Sequence, residues 1–64
     1  MPNFYSEFVN QLSQLRNMLT KDDAPMFKDE LLDVKSKVKS DDRLNASEKQ
    51  MSLAIIDDIL AKFN

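Results

Sequence analysis

Residues 51–63 read MSLAIIDDILAKF, and this stretch decides the fold. At about 100° per residue, its large apolar side chains spread over about 200° of a helix circumference, whereas a surface helix shows a stripe nearer 100° wide. Ile55 and Ile59 are the predicted core positions, and Leu53 lies at an edge of the arc. Either this helix lies between two others and contacts both, or part of the arc binds a partner or a second copy.

The residues before this stretch predict where its helix begins. Asn45 with Glu48 three residues later forms one capping box, and Ser47 with Gln50 forms an overlapping one. Either start gives a helix over about 46–63. On the polar face of this helix, Asp58 and Lys62 are four residues apart, the spacing of a solvent-exposed ion pair.

Two further segments show helical periodicity. The first, over about 3–20, carries an apolar stripe at Tyr5, Phe8, Leu12, Leu15 and Leu19, with Asn3 or Ser6 as the cap.

The second segment, over about 25–39, has its stripe at Phe27, Leu31, Val34 and Val38. Pro25 suits a first turn and disfavours helical geometry at the residue before it, so the helix is expected to begin at Pro25. Asp22 or Asp23 is the expected cap.

The links between these segments complete the architecture. Ser40–Asn45 is polar and contains neither proline nor glycine, so it is either a loop or a continuation of the second helix. Short links make consecutive helices antiparallel. We therefore predict an all-α, compact three-helix bundle in a single domain over 1–64.

The composition argues against several kinds of chemistry. The 64 residues include no cysteine, no histidine and no glycine. Disulfides and thiolate metal sites are therefore excluded, and the commonest zinc ligand and the side chain that titrates nearest neutral pH are missing. Glycine-rich phosphate loops are excluded as well. We expect no enzyme activity, no metal site and no cofactor.

The charge and hydropathy patterns bear on partners and location. The net charge is −2, which argues against general nucleic-acid binding because that needs a concentrated basic face. The candidate basic surface consists of Lys35, Lys37, Lys39 and Arg43. No run of residues approaches the ~20 apolar positions of a membrane span. The expected location is therefore the cytoplasm.

Binding to another protein is the remaining class of function. Several apolar side chains lie off or at the margins of their stripes and form the candidate interface: Phe4, Tyr5, Met26, Leu32, Leu53 and Leu60. The sequence thus predicts a non-catalytic interaction module (an adaptor, inhibitor, immunity-type or regulatory subunit) that binds another protein, itself or both. The alternatives are a dimeric DNA-associated regulator that uses Lys35–Arg43 and a self-assembling structural protein.

Overall fold

The computed structural model describes residues 3–63 and contains three α-helices. They are α1 (Phe4–Met18), α2 (Ala24–Lys39) and α3 (Ala46–Leu60), and a single 3-10 turn, Ala61–Phe63, follows α3. Within residues 3–63 there is no β-strand. The predicted all-α three-helix fold is confirmed, with helix boundaries that differ from the predicted ones by at most three residues.

Polar side chains fix the starts of α1 and α3. The Asn3 side-chain oxygen accepts a hydrogen bond from the Ser6 backbone N–H at 2.8 Å. At the start of α3, Asn45 accepts from the Glu48 N–H at 2.8 Å, and Glu48 accepts from the Asn45 N–H at 2.9 Å. This reciprocal capping box places the cap of α3 at Asn45 and not at Ser47.

The first link differs from the expectation in two ways. Asp23 is the N-cap residue of α2, but its side chain makes no capping bond and instead accepts from the Thr20 hydroxyl at 3.0 Å. Ala24, expected to be non-helical because it precedes Pro25, is the first residue of α2 and is fully buried. Its N–H donates to the Thr20 carbonyl at 2.9 Å, and Pro25 stands in the first turn, where a missing N–H costs nothing.

The second link is a series of turns from Ser40 to Asn45, so α2 does not continue into it. Leu44 in this link is buried among the core residues. Leu44 is the single leucine of a polar segment and gives no periodic signal. The sequence therefore did not predict that it would be buried.

The third helix lies between the other two and packs against both. Lys62 of its C-terminal end reaches the Leu19 carbonyl at the end of α1, so α1 and α3 run parallel. Lys49 near the start of α3 donates to the Lys39 carbonyl at the end of α2, so α2 runs antiparallel to both. The wide apolar arc of residues 51–63 is therefore explained, at least in part, by two helix neighbours.

The centre of that arc is shifted from its predicted position. Ile56 and Ile59 are fully buried, together with Ser52, whereas Ile55 and Leu53 are only partly buried. Ser52 was not predicted to be buried, and its hydroxyl has no hydrogen-bond partner in the part of the chain that the structure describes. The Phe63 side chain, which the sequence placed in the arc, lies outside the described residues.

The polar face of α3 ties it to both neighbours. The predicted Asp58–Lys62 pair is not formed: Asp58 lies 3.6 Å from Arg16 of α1, and Asp57 lies 2.8 Å from Lys35 of α2.

Lys62 instead donates to the carbonyls of Arg16 and Leu19. A cation at that position donates hydrogen bonds to carbonyls at the end of the helix and interacts favourably with the negative end of the α1 dipole.

Replacement of Ile56 by alanine is expected to remove most of the stability of the fold. Truncation of a fully buried isoleucine costs about 2–5 kcal/mol, and a domain of this size has only about 3–5 kcal/mol in total. Urea denaturation followed by circular dichroism measures the change. Met51→Ala, at an exposed position of the same helix, is the control and should change the free energy of unfolding little. Equal losses in the two variants would show that the core is misplaced.

Replacement of Lys62 by methionine keeps the apolar stem and removes the charge at the end of α1. The expected loss is about 0.5–1.5 kcal/mol, measured by the same denaturation. Lys28→Met, at an exposed position of α2, controls for the general effect of removing one positive charge. If Lys62→Met is as stable as Lys28→Met, the contact does not hold α1 against α3.

Candidate functional site

The first two helices do not pack against each other. Every Cα of α1, Phe4–Met18, lies more than 8 Å from every Cα of α2, Ala24–Lys39, although each helix packs against α3. Packed helices have axes only about 8–10 Å apart, which brings many Cα atoms closer than that. An opening is therefore left between the backbones of α1 and α2, beneath which Leu12 and Leu31 are still buried.

This opening forms a groove along the seam between the two helices. It consists of three adjoining depressions of about 200, 190 and 240 Å³. The first shares Leu15 and Phe27 with the second, and Phe8 and Val34 with the third. The residues that line this α1–α2 groove are Phe4, Phe8, Gln11, Leu12, Leu15, Met18, Leu19, Asp23, Phe27, Glu30, Leu31, Val34, Lys37, Val38, Asp41 and Arg43.

The floor and walls of the groove are apolar. Leu12 and Leu31, which belong to the buried core, form its floor, and partly buried side chains of both helices form its walls. Met18 is 77% exposed at one end. Met26, also 77% exposed, lies one helical turn before Glu30 and therefore on the same side of α2. Flexible methionines at the edge of an apolar depression are typical of surfaces that adapt to a bound segment.

Charged side chains lie along the groove. Asp23 lines one end, and Glu30 lies beside the central depression. Lys37, Asp41 and Arg43 line the other end. The two cations there are paired, because Lys37 lies 3.0 Å from Asp33 and Arg43 lies 2.7 Å from Asp41.

A cluster of side chains around Arg43 builds the second end of the groove. The Arg43 guanidinium carbon lies 3.7 Å from the centre of the Phe4 ring, a cation–π contact. The other face of the cluster is formed by Phe8, whose ring stacks on Phe4 with centres 5.6 Å apart. Asp41 holds the guanidinium through two hydrogen bonds, at 3.0 Å from Nε and 2.7 Å from an Nη atom. The second link is thereby attached to the start of α1.

The Arg43 side chain lowers the pKa of the Asp41 carboxyl to about 2 through these hydrogen bonds. The Arg43 backbone N–H adds a further hydrogen bond to the same carboxylate at 2.9 Å and lowers the pKa in the same direction. A carboxyl whose pKa is lower in the folded state stabilises that state at any pH above its unfolded value, and this contribution is lost as the pH falls through the folded pKa.

Replacement of Asp41 by asparagine should therefore destabilise the fold in a pH-dependent way. The difference in melting temperature between the variant and the parent chain should be constant above about pH 4, near the unfolded pKa of aspartate, and should shrink as the pH falls towards about 2. Asp42→Asn, at the exposed neighbouring position, is the matched control. A difference that does not change between pH 5 and pH 2 would contradict the Asp41–Arg43 assignment.

The predicted interface residues are found in different places. Phe4 lines the groove, and Met26 lies at its edge. Tyr5, Leu53 and Leu60 are partly buried and packed against the core.

Leu32 is 44% exposed. It lies about 160° around α2 from both Glu30 and Val34, which line the groove, and so faces away from it. The six residues therefore do not form one patch.

The predicted basic residues are mostly paired with carboxylates. Lys35 lies 2.8 Å from Asp57, and Arg43 lies 2.7 Å from Asp41. Lys37 pairs with Asp33, one turn away on α2, at 3.0 Å. Arg43 also contacts Phe4, so the predicted basic surface and the predicted interface meet at this residue.

Sequence reasoning missed most of the groove. Phe8, Leu15, Phe27 and Val34 belong to the apolar stripes, which predicted them as core. They are only partly buried, because one edge of each stripe faces α3 and the other faces the open seam. The apolar stripes cannot show which residues stay partly exposed, because a core face and a groove wall have the same periodicity.

Residues 3–63 contain neither a membrane span nor a cluster of metal ligands. No helix there is both long and apolar enough to span a membrane. No three acidic side chains in this part of the chain come close enough together to hold a metal ion. Comparison of the chain with protein-family models, with curated proteins and with solved structures gives no match.

Proposed function

We propose that this chain is a small, non-catalytic protein–protein interaction module: an adaptor, inhibitor, immunity-type or regulatory subunit that acts through apolar helix faces. The observation that carries the proposal is the uncovered α1–α2 groove. Its floor is the core itself, at Leu12 and Leu31, and its walls are apolar side chains of both helices. Apolar depressions between the helices of a bundle are common places for a binding site.

The distribution of exposed apolar side chains supports the same proposal. In the described part of the chain, the large apolar residues classed as exposed are Met18, Met26, Leu32 and Met51. Two of these four, Met18 and Met26, lie at the groove. Half of the exposed large apolar side chains therefore lie where the groove would bind, and the other two, Leu32 and Met51, lie elsewhere.

The DNA-associated alternative gains less support from the arrangement of charges. Phosphate binding needs cations that are free to replace counterions, whereas Lys35, Lys37 and Arg43 each lie within 3.0 Å of a carboxylate oxygen. Self-assembly remains an alternative, because a second copy is one of the proteins that could cover the groove.

Photo-crosslinking from the groove tests the proposed function. A benzoylphenylalanine in place of Gln11, an exposed residue that lines the groove, is expected to form one adduct of defined mass in native lysate. The same group in place of Asn10 is the control, since this exposed position lies about 100° from Gln11, on the side of α1 away from the groove. The control should give no such adduct.

Each result of this experiment bears on the proposal. An adduct with a different protein, specific to position 11, supports an interaction module. An adduct of two copies of the chain supports self-assembly in its place. Equal labelling from positions 11 and 10, or no adduct from position 11, would contradict binding through the groove.

A further inference from the structure

The three methionines among the described residues all lie at the surface. Met18 and Met26 are 77% exposed, and Met51 is 55% exposed. Methionine is one of the residue types most often buried in proteins, so packing does not account for this placement. Within residues 3–63, the other large apolar side chain classed as exposed is Leu32. Thioethers therefore supply three of the four exposed large apolar side chains in that range.

The core is built from side chains that resist oxidation. Its buried apolar residues, in the part of the chain that the structure describes, are Leu12, Leu19, Ala24, Leu31, Val38, Leu44, Ile56 and Ile59. The chain has no cysteine, no histidine and no tryptophan. The groups of the described residues that are oxidised most readily are therefore thioethers in contact with water, whereas aliphatic groups fill the interior.

We propose that Met18, Met26 and Met51 are modification sites at which hydroperoxides form methionine sulfoxide while the fold is kept. The thioether sulfur attacks the terminal oxygen of the hydroperoxide, the O–O bond breaks and an S–O bond forms. The proton of the attacked oxygen moves to the leaving oxygen, which departs as water or an alcohol. The sulfur loses two electrons and the peroxide gains them. This inference is independent of the proposed function, because it concerns the chain without a partner.

Exposure makes these sulfur atoms reactive in the native state. An oxidant must reach the sulfur, so a buried thioether reacts only when the fold opens locally or globally, whereas an exposed one reacts at once. Met18 is the last residue of α1, Met26 lies in the first turn of α2, and Met51 lies on the outside of α3. No helix has to open for a small hydroperoxide to reach any of them.

The same placement explains why the fold is kept. Oxidation turns an apolar side chain into a polar one, which disrupts a protein when that side chain is part of the core. In the described part of the chain, none of the three methionines belongs to the core or is packed against it. The new polar oxygen therefore forms where water is already present, and little burial is lost.

The reverse step requires electrons from another molecule. Reduction of a sulfoxide consumes two electrons, which a dithiol supplies as it becomes a disulfide, and the oxygen leaves as water. The chain has no cysteine, so it cannot supply this dithiol itself. A separate methionine sulfoxide reductase therefore has to restore the thioethers.

Peptide mapping after treatment with hydrogen peroxide tests the proposal. Trypsin cuts after lysine and arginine and leaves each of the three methionines on its own peptide, namely 17–21, 22–28 and 50–62. Mass spectrometry of samples quenched with free methionine gives the three oxidation rates. In the native chain, each rate should lie within about threefold of the rate in urea, where every side chain is exposed.

Two neighbouring leucines provide matched controls. Leu31 is 3% exposed and Leu32 is 44% exposed, and their tryptic peptide, 29–35, contains no methionine of its own. The thioether introduced by Leu31→Met should be oxidised at least about tenfold more slowly in the native chain than in urea, because the fold must open first. The thioether introduced by Leu32→Met should not be protected in this way. Circular dichroism verifies that both variants fold.

The oxidised chain tests the second half of the proposal. After oxidation at all three positions, the helical circular dichroism should remain, and the melting temperature should lie within about 5 °C of that of the reduced chain. Methionine sulfoxide reductases should then restore the original mass.

Three results would overturn the inference. The first is a native rate at any of the three positions that is more than about threefold slower than in urea. The second is loss of the helical signal on oxidation, since the fold would then not be kept. The third is equal oxidation of Leu31→Met in the native chain and in urea, because exposure would then not select the sites.

Discussion

The packing of α3 on both other helices is the contact on which the structure depends. Ile56 and Ile59 lose all their solvent exposure there, and α1 and α2 are held through α3 because they do not pack against each other. A chain of this length has enough apolar side chains to close one side of such an arrangement. The other side remains an apolar groove. The same two helices therefore supply both stability and the candidate binding surface. One edge of each apolar stripe packs against α3, and the other edge lines the groove.

Electrostatic contacts then fix the positions of the helices around that core. Asp57 and Asp58 are adjacent on α3 and reach Lys35 of α2 and Arg16 of α1, respectively. Exposed pairs of this kind add little free energy individually. Together with the Lys62 contact at the end of α1, they add polar contacts between α3 and both neighbours outside the core.

The sequence predicted the helices well and the groove poorly, for physical reasons. Helix starts depend on local chemistry, so Asn3 and the Asn45–Glu48 box were readable from residue type and spacing. The Asp57 and Asp58 contacts join residues more than 20 positions apart in the sequence, and no local pattern encodes them. Apolar periodicity shows that Phe8 and Phe27 lie on the inner faces of their helices. Whether those faces meet depends on the angle between α1 and α2, which the long-range contacts with α3 determine.

The open groove also has a thermodynamic consequence. The apolar walls of the groove stay in contact with water. Burying them would stabilise the fold by roughly 25 cal/mol per Å², which matters in a domain of such low total stability. A partner that binds only the folded chain would restore that burial and shift the folding equilibrium by mass action. Under the proposed function, folding and binding would be coupled through the same side chains. Leu12 and Leu31, which belong to both the core and the floor of the groove, would connect the two processes.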